Sequence, residues 1–96
     1  MLREDLNKSN DVVLGFSSAT CSICRKMKPM IHTLLADNKT VNFVELDIDE
    51  EEDMALAQEL SVTTLPTFIH FNKGEIVGKT SGFQKSSDLK GLLNLD

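Results

Sequence analysis

Cys21-Ser22-Ile23-Cys24 is the segment of this chain best suited to do chemistry. Thiols at i and i+3 on the first turn of a helix face the same side, near enough to close a disulfide ring. A sulfur at a helix start also lies among amide N–H groups that have no partner inside the helix. Those donors and the helix dipole favour a thiolate over a thiol. A helix terminus supplies about 0.3–1 kcal/mol, up to about 2 when partly buried, and one pKa unit is about 1.36 kcal/mol. The dipole alone therefore lowers such a thiol pKa by roughly one unit or somewhat more. Arg25, Lys26 and Lys28 follow and add positive charge at short range. Cys21 is thus the expected nucleophile. Cys24, one turn inside, is the expected resolving thiol.

Other reactive side chains have simpler explanations. Tetrahedral zinc takes four ligands, usually as two close pairs. His32 and His70 are the remaining candidates, and they fall far apart on different elements, so no metal site is expected. Both are expected to be structural or surface histidines. Met27 and Met30 belong to a core by their period. The acids Asp47, Asp49, Glu50, Glu51, Glu52 and Asp53 suit the start of a helix better than an acidic docking face.

The elements that must position the cysteines follow from hydrophobic period and punctuation. Residues 2–9 read as a short helix ended by Asn10-Asp11. Val12-Val13-Leu14-Gly15-Phe16 is a continuous apolar run, as in a strand buried on both faces. Residues 22–37 carry Met27, Met30, Ile31, Leu34 and Leu35 at helical spacing, with Pro29 inside removing one hydrogen bond and forcing a kink. Residues 41–48 predict a second strand. Residues 49–60 predict a helix, with Met54, Leu56, Ala57 and Leu60 as its apolar positions. A strand over 66–71, a turn at Asn72-Lys73-Gly74 and a returning strand over 75–81 form a hairpin. Residues 86–95 predict a last helix with Leu89, Leu92 and Leu93 facing inward. The order α-β-α-β-α-β-β-α opens with a right-handed parallel βαβ unit and closes with an antiparallel hairpin. The fold class is α/β, a mixed four-stranded sheet with helices on both faces.

Composition excludes several function classes. Ninety-six residues form one domain, 1–96, long enough to bury a core without metal or disulfide staples. A net charge of −5 argues against a nucleic-acid partner, which wants a basic face. No apolar run approaches bilayer length, so no membrane partner is expected. The start Met1-Leu2-Arg3-Glu4-Asp5-Leu6 carries acid where a secretory signal is basic and then apolar, which points to the cytoplasm. Two cysteines make no disulfide framework, and in a reducing compartment a close pair is reactive or metal-binding more often than structural.

A strand, a Cys-x-x-Cys and a helix in a βαβ unit resemble the thioredoxin family. The resemblance extends over nearly the whole chain from about residue 11, in family order and spacing. It is carried by residues 12–16, by Cys21-Ser22-Ile23-Cys24-Arg25-Lys26-Met27-Lys28-Pro29 and by Val44-Glu45-Leu46-Asp47-Ile48-Asp49. Leu65-Pro66-Thr67-Phe68, Phe71-Asn72-Lys73-Gly74-Glu75 and Gly82 complete it. It implies a thioredoxin fold whose first edge strand has no counterpart here, since too few residues precede Val12. It also implies that Pro66 is the family's cis-proline beside the disulfide, that Leu65 offers its backbone to a substrate strand and that Pro29 is the family's helix kink. Thr20, Ser22, Ile23, Leu65, Pro66 and Gly82 become the expected substrate-binding residues. The implied activity is reduction of protein disulfides by a monomer without cofactor, recycled by a thioredoxin-reductase-like enzyme.

Departures from the family pattern change the surroundings of the pair. Thr20 and Ser17 stand where the family has tryptophans, and Ser22-Ile23 replaces Gly-Pro between the cysteines. Gly15 stands where the family has a buried aspartate thought to take the resolving thiol's proton. Glu45, on the neighbouring strand, is the expected replacement base, with a raised pKa and a glycine opposite leaving room for its side chain or a water; the alternative is that it faces solvent and water serves. Ile23 restores an amide N–H near the Cys21 sulfur that proline lacks, which predicts a potential less reducing by a few tens of millivolts at most. The losses also raise two other functions, an interaction module with little turnover and a glutathione-dependent, glutaredoxin-like enzyme. Retention of both cysteines favours the reductase over the module.

Overall fold

The run 12–16 becomes the centre of the sheet. A computed structural model describes residues 11–38 and 41–95, so the expected helix over 2–9 lies outside the described residues. β1 (Asp11–Ser17) is buried continuously from Val12 to Phe16. It pairs in parallel with β2 (Val41–Asp47) and antiparallel with β3 (Thr67–Asn72). β4 (Glu75–Ser81) returns antiparallel to β3, and the order is β2-β1-β3-β4. The mixed four-stranded sheet is the one expected.

Alternation along β1 sends side chains into two cores. Val12, Leu14 and Phe16 pack with Leu46, Ile69, Phe71 and Ala57, the last from helix α2 (Glu51–Glu59). Val13 packs on the opposite face with Phe68, with Met27, Ile31 and Leu35 of α1 (Ser22–Ala36), and with Leu89 of α3 (Ser86–Leu92) and Leu93 just beyond it. Helices on both faces explain why the strand shows no polar alternation.

The boundaries differ from the sequence pattern where side chains or left-handed residues intervene. α2 begins at Glu51 rather than 49, because the Asp47 carboxylate accepts from Asp49 N and the Asp47 carbonyl from Glu50 N, both at 2.9 Å, in a turn that precedes the helix. Asp53 reaches back to Asp47 N at 3.0 Å. The acidic run thus serves the turn and the first helical turn, and Met54 faces solvent at 40% exposure. α3 ends at Leu92 rather than 95. Asn94 adopts φ 54°, Leu95 N bonds Lys90 O and Asn94 N bonds Gly91 O, a Schellman ending. Leu92, still within the helix, faces outward, against expectation, while Leu93 and Leu95 are buried. The hairpin turns through Lys73 (φ 52°) and Gly74 (φ 85°), the paired positive angles that fit right-twisted strands.

Candidate active site

β1 delivers the chain to the N-terminus of α1 through the turn 18–20. Cys21 N donates to Ser18 O at 3.1 Å. Ser18 is itself buried; its hydroxyl donates to Asp49 Oδ2 and contacts Thr20 Oγ1, each at 3.1 Å. This ties the turn to the β2–α2 loop. Cys21 is the N-cap of α1, with φ −89° and ψ 108°. Its sulfur accepts from Cys24 N at 3.2 Å and is bonded to the Cys24 sulfur across a Cα–Cα distance of 5.3 Å. Cys21 is half-buried and Cys24 is 7% exposed, so the two residues differ in access. The amide that reaches Cys21 belongs to Cys24 and not to Ile23, which corrects the basis of the expected shift in potential. A proline at position 23 would leave this bond intact.

The other expected substrate residues border the pair. Leu65-Pro66 is a cis peptide, and Pro66 is fully buried and lines a cavity with Cys24. Gly82 (φ 75°) donates its amide to Pro66 O at 2.8 Å, which brings the loop after β4 beside the proline. Thr67 Oγ1 donates to Thr64 O on the other side of the same turn. Thr20, Ser22 and Ile23 are exposed, Ile23 at 41%. Phe83, which the sequence reading passed over, follows Gly82 with 54% exposure. No periodicity marks it, because it lies in a loop.

Glu45 is directly opposite Gly15 in the β1–β2 register. The Phe43 and Phe68 rings crowd that glycine, since a Cβ on Gly15 would lie 2.9 Å from Phe43 Cε1 and 3.1 Å from Phe68 Cε1, and the room left beside it is a small cavity. Glu45 instead reaches α1. Its Oε1 meets His32 Nε2 at 2.9 Å and its Oε2 meets Lys28 Nζ at 3.4 Å. Burial pushes its pKa up, but the His32 bond and the Lys28 ammonium outweigh burial and hold the carboxyl below its usual range. The expected raised pKa is therefore wrong, and for a reason of geometry: both partners project from the helix that the Cys-x-x-Cys begins. The His32 ring stands edge-on to Phe43 with centroids 5.3 Å apart. His32 is a surface residue, as expected, while His70 is buried and structural.

Two spaces adjoin Cys24. A cavity of about 50 Å³ is lined by Gly15, Phe43, Glu45, Lys28, Pro66 and Phe68, among others. That is room for more than one water among polar partners. An open cleft of about 490 Å³ lies beside it, between Ser17-Ser18-Ala19, Arg25 and Asp47. Ser17, Cys24, Lys28 and Glu45 belong to both. Among the described residues no group of three His, Cys, Asp or Glu side chains is placed to hold a metal ion, and no helix is long and apolar enough to cross a membrane.

The family model described as Thioredoxin matches residues 2–94. Thioredoxin of Homo sapiens is 39% identical over 85 residues, covering 86% of this chain and 79% of that one. Mitochondrial thioredoxin-3 of Saccharomyces cerevisiae is 35% identical over 92 residues, covering 95% of this chain and 71% of that one. The crystal structure of oxidised mitochondrial thioredoxin 3 from the same yeast superposes with a TM-score of 0.84 at 30% identity, covering 98% and 87%.

Proposed function

The chain belongs to the thioredoxin family and is a thiol–disulfide oxidoreductase, and on that premise we propose the roles of its residues in reducing protein disulfides. Cys21 attacks a substrate disulfide as thiolate and forms a mixed disulfide. Cys24 then attacks Cys21, releasing the reduced substrate and closing the Cys21–Cys24 bond. The observation that carries this assignment is the asymmetry of the pair. The Cys21 sulfur caps a helix, accepts an amide and is partly open, while Cys24 is buried one turn inside. Thr20, Ser22, Ile23, Leu65, Pro66 and Gly82 form the surface that receives the substrate strand, with the Leu65 backbone pairing to it. Glu45 orients water in the shared cavity and receives the Cys24 proton, and the open cleft carries that proton to solvent.

Reductases recycle oxidised thioredoxins, and a thioredoxin-reductase-like enzyme is the recycling partner of this chain. The active protein is a single-domain monomer in the cytoplasm. Both cysteines serve the redox pair, and none is left for the structural framework of an oxidising compartment.

The test is reduction of insulin by dithiothreitol, followed as turbidity. Wild type should accelerate it, Cys21→Ser should abolish the acceleration, and Cys24→Ser should accumulate mixed disulfides. No acceleration by wild type would overturn the reductase. Faster alkylation of Cys24 than of Cys21 by iodoacetamide at neutral pH would reverse the roles.

A further inference from the structure

Cys24 must ionise before it can attack Cys21, and a thiol with 7% exposure resists ionisation because its charged form loses solvent. Charges of both signs surround it. Arg25 and Lys28 approach from α1, Glu45 and Asp47 from β2. Asp49 stands behind Ser18 in the loop after β2. β1 and β3 line the inner cavity with Gly15, Ser17 and Phe68, and the turn before β3 adds Pro66; none of these titrates. Gly15 thus removes any carboxylate from the sheet's centre. Of the charged groups among the described residues, only Lys28 and Glu45 line both the cavity and the cleft.

Lys28 follows Cys24 by four residues in α1, so their side chains are neighbours on one helix face. An ammonium carries three donors. One contact, at 3.4 Å, goes to Glu45 Oε2, whose carboxylate is shared with His32. We propose that Lys28 promotes the resolving step by stabilising Cys24 as the thiolate across the water-sized cavity. The step is balanced. The Cys24 thiol gives its proton to water, which hands it to Glu45 or to bulk solvent, and its sulfur electron pair forms the bond to Cys21 Sγ. The bond from Cys21 to the substrate sulfur breaks, and the substrate leaves as a thiolate that takes a proton from solvent. The dithiol loses two electrons and the substrate disulfide gains them.

This role rests on Cys24 as the resolving thiol but not on Glu45 as the proton acceptor. Stopped-flow mixing of the reduced protein with dithionitrobenzoate separates the steps: the first thionitrobenzoate released reports attack by Cys21, the second reports resolution by Cys24. Lys28→Met should move the pH midpoint of the second phase upward and slow it about two- to five-fold near neutrality. Lys28→Arg should restore it. The same upward shift should survive when Lys28→Met is placed in Glu45→Gln. If it vanishes there, Lys28 acts only by holding Glu45 and the proposal fails. Glu45→Gln alone decides the other question. An upward midpoint supports Glu45 as acceptor, whereas a downward one, from Lys28 released of its counter-charge, refutes Glu45 and supports Lys28.

Discussion

Two carboxylate–imidazole pairs have the same contact length and opposite surroundings. Asp11 Oδ1 meets His70 Nε2 at 2.9 Å where β1 begins, with side chains 26% and 5% exposed. Glu45 Oε1 meets His32 Nε2, also at 2.9 Å, beside the cysteines, with side chains 44% and 52% exposed. The first pair is locked on every side. His70 Nδ1 bonds Leu93 O at 2.7 Å, and Asn72 Nδ2 donates to the same Asp11 oxygen at 3.0 Å. The ring is thus held from both nitrogens. The network joins β1, β3 and the end of α3. Gly78 lets that end press on β4, because a Cβ there would lie 2.5 Å from the Leu93 carbonyl carbon. Solvent screens the second pair, whose consequence is to fix charges beside Cys24. Burial, and not the bond, decides whether such a pair holds the fold or tunes a site.

Breaking the buried pair should give the largest effect. His70→Phe leaves Leu93 O without its bond and Asp11 with Asn72 alone, so stability should fall by about 2–4 kcal/mol in urea titration. A loss below about 1 kcal/mol would mean the pair is no more than a surface contact. Next comes Gly15→Asp, which tests whether a carboxylate can be returned to the sheet beneath the cysteines. Its Cβ must displace the Phe43 and Phe68 rings, an overpacking that should cost about 1–3 kcal/mol. Recovery of resolution without that loss would show that the rings move freely.

What the sequence disclosed was local. The buried strand 12–16, the turn at Lys73-Gly74 and the cysteine pair each depend on neighbours a few residues away, and each was found as expected. The end of α3 was misjudged because Leu92 continues a helical period that Asn94 interrupts with a left-handed angle. Glu45 was misjudged for a different reason. The family resemblance placed it beside position 15, and the register sets it opposite Gly15, but its partners lie on α1, and the rings of Phe43 and Phe68 narrow the space beside that glycine to a small cavity. Period two sets Phe43 on the same strand face as Glu45, but nothing in the order of residues tells how far its ring will narrow the gap. The link of Ser18 to Asp49, across 31 residues, was equally invisible.

The smallest effects come from removing the two carboxylate charges, and acid separates them. Bonds from Asn72 and His70 lower the Asp11 pKa from its usual 3.8. A carboxyl with a lowered folded pKa contributes stability above its unfolded value and loses it as pH falls through the folded one. Wild type should therefore lose part of its stability below about pH 4. Asp11→Asn should lack about 1 kcal/mol near neutrality, since the amide oxygen still accepts but without charge, and should show a flatter acid limb. Glu45 has the same sign of shift, yet its carboxylate is 44% exposed and its ammonium partner 60% exposed. Glu45→Gln should therefore change stability by no more than about 0.5 kcal/mol, with an acid limb that follows wild type. Denaturant midpoints at neutral pH and at pH 3 give both answers. If Glu45→Gln flattened the acid limb as much as Asp11→Asn, exposure would not be the variable that separates the pairs, and the contrast between a structural and a functional carboxylate would collapse.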